Sequence, residues 1–323
     1  MNKRIIINFI GKIILIEVML MILPLLVSLI YGDGDTRGFL YTMIPAGIIG
    51  FALMKVKQKQ GRMSSRDGYF IVAAAWIIIS LIGAMPLYIN GGFPTYWNAL
   101  FEIVSGFTTT GASILVKPEE LGHGVLFWRS FTHWIGGMGV LVFVLMVMPM
   151  ENDNSMHLVR AEVPGPTAGK LVPRMRTTSM ILYGIYTTMT LLLIFLLVCF
   201  GMPLFDSFCL AFGTAGTGGF AVSSAGVAGY GSLAIEVVLG IFMLLFGINF
   251  SVYHLIMLRK FKEAFCMEEV KVYLSIVFLS TLAIMFNIAK MAGGFGHALR
   301  QSFFQVASII TTTGFATVDF ELW

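Results

Sequence analysis

Three stretches of threonine and glycine interrupt an otherwise apolar chain in the same way: Ser105-Gly-Phe-Thr-Thr-Thr-Gly-Ala-Ser113, Phe212-Gly-Thr-Ala-Gly-Thr-Gly-Gly-Phe220 and Ile309-Ile-Thr-Thr-Thr-Gly-Phe-Ala-Thr317. Main-chain carbonyls and Thr hydroxyls are neutral oxygens that can replace the hydration water of a monovalent cation. Glycine permits the φ values that turn successive carbonyls toward one axis. Sites for hard divalent cations recruit Asp or Glu, and these segments contain neither. The lining therefore favours potassium or sodium. One Thr-Thr-Gly run is also what an ordinary loop or a close helix contact contains, so the repetition carries the reading. With Gly111, Gly218 and Gly314 taken as equivalent, the intervals are 107 and 96 residues, enough for a span, a re-entrant loop, a second span and an inner loop.

The elements that must position these segments follow from the composition. The chain has 323 residues, of which 57% are apolar and 12% charged, with a mean hydropathy of +0.87. Soluble domains are about one-quarter charged. Since a membrane span needs about 20 mostly apolar residues, seven spans are predicted: Ile5–Tyr31, Phe39–Met54, Tyr69–Ile89, Gly124–Met148, Met180–Phe200, Leu233–Leu258 and Val272–Ile288. The first is too long for a signal-peptide core and lacks a small-residue cleavage site, so it reads as a retained anchor. Before each Thr/Gly segment lies a short amphipathic run, Thr95–Phe107, Leu204–Phe212 and His297–Ile309. These runs are too short to cross a bilayer and fit re-entrant half-helices. Free backbone groups at membrane depth are tolerated only inside protein or along a watery path, so the expectation is an all-α polytopic membrane protein with a lined pathway. A half-helix aiming its C-terminal end inward adds partial negative charge.

Lysines and arginines fall on alternate connections: Lys3, Arg4 and Lys12; Lys55, Lys57, Lys59, Arg62 and Arg66; Arg160, Lys170, Arg174 and Arg176; Arg259, Lys260, Lys262 and Lys271. Positive loops stay cytoplasmic, which places the N-terminus inside. The formal charge of +4 is explained by inner loops facing anionic lipid. No basic patch with interleaved aromatics suggests nucleic acid. Cys199, Cys209 and Cys266 share no metal-ligand spacing with His and are read as packing residues. The spans carry no His-Glu-x-x-His pair, no Gly-x-Ser-x-Gly elbow and no Asp cluster, so no enzyme is expected. Glu102 and Glu236 either raise cation concentration at a pore mouth or sit near the outer interface as ordinary partnered or solvated carboxylates, and neither belongs among the primary ligands. His133 and Asn249 read as interhelical hydrogen-bonding groups, and Arg129 as a cap on a pore helix.

At the Thr/Gly segments the chain resembles the TrkH/TrkG/KtrB potassium transporter superfamily. The resemblance extends to Phe127-Trp-Arg-Ser-Phe-Thr-His-Trp-Ile-Gly-Gly-Met-Gly139, Arg160-Ala-Glu-Val-Pro-Gly165 and Gly247-Ile-Asn-Phe250, and runs from end to end. The two spans ahead of the first repeat place it with the Trk branch. The resemblance implies units of outer helix, re-entrant pore helix and filter, and inner helix around a pseudo-fourfold pore. On that scheme residues 1–66 are the N-terminal helix pair, 67–176 the first pore repeat with its inner loop, 177–270 the second, and 271–323 an incomplete third. The third inner helix and the fourth repeat are missing from the pattern. The implied function is the pore subunit of a bacterial potassium uptake system in the inner membrane, with coupling to H+ or Na+ left open. The alternatives are a sodium-conducting member and a non-conducting truncated subunit. The implied K+ ligands are Thr109, Thr110 and Gly111; Gly216, Thr217 and Gly218; and Thr312, Thr313 and Gly314. The middle register stays open, because Gly219 with Phe220 matches Gly314 with Phe315 equally well. Implied partners are membrane lipid, a second copy of the chain in a homodimer and a cytoplasmic TrkA-like nucleotide-binding subunit, with no organic cofactor.

Overall fold

A computed structural model describes residues 2–56, 64–139 and 175–323. The predicted cytoplasmic cations Lys57, Lys59, Arg62, Arg160, Lys170 and Arg174, the Arg160–Gly165 motif, most of the Glu151–Arg176 loop and residues 140–148 of the Gly124–Met148 span lie outside them. Every regular element among the described residues is helical: α1 Lys3–Leu20, α2 Ile22–Tyr31, α3 Thr36–Met54, α4 Ser65–Ile89, α5 Tyr96–Phe107, α6 His123–Gly137, α7 Met175–Cys199, α8 Leu204–Ala215, α9 Leu233–Phe246, α10 Ser251–Met257, α11 Phe261–Phe265, α12 Glu268–Ile288 and α13 Phe295–Ile310, with short 3-10 turns between. Among the described residues, five stretches are long and apolar enough to cross a membrane: Lys3–Tyr31, Thr36–Met54, Arg66–Ile89, Ser179–Cys199 and Glu268–Ile288. The all-α, multi-pass expectation is borne out.

The predicted span Leu233–Leu258 is not one continuous helix: α9 and α10 meet at 94°. Hydropathy runs through this bend without a break, but its residues do not favour a continuous helix. Gly247 caps α9, and the Asn249 side chain accepts the Ser251 N–H at 3.0 Å, a local bond that competes with the helical ladder. Asn249 also donates to Glu269 at 3.2 Å.

The chain divides into two compact units. The first contains Met1–Thr108, Ala112–Leu115 and Glu120–Tyr183. Within it α1 packs on α3 and α4, α4 on α5, and α5 and α2 on α6. Small residues allow the closest of these approaches: a Cβ on Gly11 of α1 would come within 2.6 Å of the Met54 N and 2.7 Å of the Gly50 O on α3. Such contacts drive helix association in lipid, where apolar burial gives no advantage. The Trp128 indole of α6 donates to the Gly83 carbonyl of α4 at 2.9 Å. A capping box starts α4, with Ser64 and Asp67 satisfying each other's backbone, and Thr95 caps α5 by accepting the Asn98 N–H.

The second unit contains Thr109–Gly111, Val116–Glu119 and Gly184–Trp323. Here α13 packs on α12 and α9, and α8 on α9. Arg300 of α13 grips Glu236 of α9 through two bonds of 2.6 Å. Glu236 is therefore an interhelical partner rather than a free carboxylate. Of the three cysteines, Cys209 is buried in α8 and the other two are exposed, so the packing reading fits Cys209 alone.

Candidate ion-filter site

All three Thr/Gly segments have residues in the second unit. Each emerges from the C-terminal end of a short helix: α5 has 12 residues, α8 has 12 and α13 has 16, close to the predicted half-helices. The carbonyls at such an end present about half a negative elementary charge. The capping residues Thr108, Gly216 and Thr311 share one conformation, with φ of −80°, −79° and −90° and ψ near zero.

Just past each cap the backbone turns left-handed. Thr109, Thr217 and Thr312 have φ of 53°, 53° and 59°, and two residues later Gly111, Gly219 and Gly314 have φ of 75°, 73° and 85°. Only one other non-glycine residue among those described, Arg259, has a positive φ. A β-branched side chain in this region is a strained outlier, and such strain collects at functional sites. Because the same strain recurs at three equivalent threonines, it is built into the repeat.

Hydrogen bonds fix the same alignment. Thr217 N donates to Thr214 O, and Thr312 N to Ile309 O. Both Gly218 N and Gly219 N donate to Gly213 O, and both Thr313 N and Gly314 N to Ser308 O. Every donor and acceptor of the second segment lies 95 residues before its counterpart in the third. Of the two registers open in the sequence, the backbone therefore aligns Gly219 with Gly111 and Gly314. Gly218 is paired with Thr110 and Thr313, and Gly216 occupies the cap position of Thr108 and Thr311.

The segments interlock by one repeated contact. A Cβ added to Gly111 would overlap the Gly218 carbonyl oxygen, and a Cβ added to Gly219 would overlap the Thr313 carbonyl oxygen. One alignment step converts the first contact into the second, as a rotation about a common axis would. At Gly314 the corresponding Cβ meets no atom within 4 Å. Thr313 is buried, and its hydroxyl lies 2.8 Å from that of Thr311. The Ser308 hydroxyl donates to the Phe315 carbonyl at 2.6 Å, tying the chain beyond Gly314 back to α13. Thr109, Thr217, Gly111 and Gly219 are half-buried, whereas Thr110, Thr312 and Gly314 are exposed.

In the first unit, Glu102 is not at an open mouth. Its side chain is fully buried and receives Arg129 Nε at 2.5 Å. The Ser113 hydroxyl donates to the same oxygen at 2.8 Å, and the Ile114 N–H donates to the other at 3.2 Å. Arg129, read from sequence as a helix cap, reaches Glu102 and Ser113. His133 is buried on the same helix.

Sequence reasoning passed over Glu17, a lone acid inside the apolar run of α1. It is buried beside Ile13, Leu20, Ile79, Phe107 and Trp128, and neither carboxyl oxygen has a hydrogen-bond partner among the described residues. An acid so placed costs stability. Glu17→Leu is expected to stabilise the folded chain by about 1 kcal/mol or more, read as a higher midpoint in detergent thermal unfolding. A fall of that size would contradict an unpartnered carboxyl.

The comparisons agree with this architecture. The family model "TrkH: Cation transport protein" matches residues 36–295. The Trk system potassium uptake protein TrkH of Salmonella typhimurium is 35% identical over all of this chain and 68% of its own length. The TrkG of Escherichia coli is 32% identical over all of this chain and 67% of its own length. The crystal structure of the potassium transporter TrkH from Vibrio parahaemolyticus matches with a TM-score of 0.85 at 28% identity, covering all of this chain and 67% of that one. The chain thus belongs to the TrkH family of cation transport proteins.

Proposed function

We propose that the chain lines the pore of a bacterial potassium uptake system, with Thr109–Gly111, Thr217–Gly219 and Thr312–Gly314 as consecutive walls of its filter. The observation that carries this reading is the strained left-handed threonine recurring at each segment, with Gly111 and Gly219 seated on the next segment's carbonyl. Carbonyls and Thr hydroxyls replace the hydration shell of K+, the ends of the short helices supply negative potential, and the membrane potential drives entry at about 2.3 kcal/mol per charge for each 100 mV. The pore repeats follow the divisions 67–176, 177–270 and 271–323, behind the helix pair 1–66. The protein sits in the inner membrane with its N-terminus cytoplasmic, pairs as a homodimer and docks a TrkA-like subunit on its inner face. The relatives' names, Trk system potassium uptake proteins, support potassium as the ion and a system of several parts, and the distribution of lysine and arginine supports the N-terminal orientation.

The test is growth of a potassium-uptake-deficient bacterium on limiting potassium. Rescue by the chain with its Trk partners, lost in Gly111→Ala, is the expected result. Rescue that survives Gly111→Ala rejects the filter, and rescue on limiting sodium alone favours a sodium pathway.

A further inference from the structure

We infer that the buried pair Glu102–Arg129 and the Ser113 hydroxyl form a brace that sets the position of the first filter segment and so its preference for potassium over sodium. The inference rests on the function proposed above. Glu102 lies midway along α5, the helix from which the segment leaves, and Arg129 lies on α6. Ser113 and Ile114 follow Gly111 by two and three residues. Both Glu102 oxygens are engaged, one by the Arg129 Nε and the Ser113 hydroxyl, the other by the Ile114 N–H. Arg129 Nη2 also donates to the Ser113 hydroxyl at 3.2 Å. The chain that leaves α5 at Thr108 is thus pinned back to α5 just beyond Gly111, so the filter segment is held at both ends by one helix.

The Glu102 carboxylate adds no net field at a pore mouth, because it is 0% exposed and neutralised by Arg129. Its work is positional. Charge-assisted bonds in a buried site are short and strong, and carbonyl placement governs which cation a filter accepts. The device is particular to the first repeat. Seven residues before the left-handed threonine stand Glu102, Leu210 and Gln305 in turn, all buried. The third segment is tied differently, through Ser308 to the Phe315 carbonyl.

The test uses the full chain in a potassium-uptake-deficient bacterium, comparing Glu102→Gln and Ser113→Ala with the unsubstituted protein. Rubidium uptake, its inhibition by sodium and the amount of chain in the membrane are measured together. The expected result is a loss of about tenfold in rubidium-over-sodium preference in Glu102→Gln, and a smaller loss in Ser113→Ala. Ser113 is exposed, so its variant inserts even if Glu102→Gln does not. Uptake that falls only in proportion to the amount of inserted chain, with preference unchanged in the inserted variants, overturns the brace alone. No uptake by the unsubstituted chain overturns the proposed function and this inference with it.

Discussion

Gly219→Ala is expected to lower rubidium uptake roughly 100-fold, while Gly218→Ala lowers it by less than about tenfold. The contrast follows from the backbone. Gly219 has a φ of 73°, where an L side chain costs about 1–2 kcal/mol. Its new Cβ would also overlap the Thr313 carbonyl oxygen, one of the groups expected to face the ion. Gly218 is not among the positive-φ glycines, so alanine there meets no left-handed strain. Gly314→Ala carries the same left-handed strain, at a φ of 85°. Equal losses at Gly218 and Gly219, measured as initial uptake rates in cells with matched amounts of protein, would contradict the register in which Gly219 pairs with Gly111 and Gly314.

The largest effect on stability is expected at Arg129. Arg129→Met leaves the Glu102 carboxylate buried without its counter-charge. Breaking a buried pair from one side costs about 3–5 kcal/mol. The double variant Glu102→Leu with Arg129→Met removes both charges and is expected to recover most of that loss, since well-packed apolar replacements of buried pairs are often neutral. Thermal unfolding of the purified chain in detergent reads both effects. A double variant as unstable as Arg129→Met would mean that packing of the guanidinium, rather than charge pairing, carries the interaction.

The helical class and five of the predicted spans were legible because lipid imposes one simple demand, a long apolar helix that satisfies its own backbone. The pore helices were legible for a related reason. The amphipathic runs that precede the Thr/Gly segments are too short to span. The bend after Phe246 was not legible, because Ile248, Phe250 and Val252 keep the hydropathy high through Asn249. The second filter's register was ambiguous because Gly216, Gly218 and Gly219 all tolerate unusual φ. Only the left-handed Thr217 and the shared acceptor Gly213 O decide among them.

The choice between the two readings of Glu102 was not legible for a different reason. A carboxylate near a pore suggests an attractive field, and its partners Arg129 and Ser113 lie 27 and 11 residues away in the chain. Only folding shows that its charge is already spent. Glu17 did carry a signal, the single acid of α1, which is costly enough to be informative wherever it occurs.

The most direct test of the central claim is anomalous diffraction from crystals of the protein grown in rubidium. The predicted result is a rubidium peak bounded by Thr109–Gly111, Thr217–Gly219 and Thr312–Gly314, which weakens when potassium is added and persists when sodium is. Rubidium bound elsewhere, with no peak at these three segments, would contradict the assignment of the Thr/Gly repeats as the cation filter.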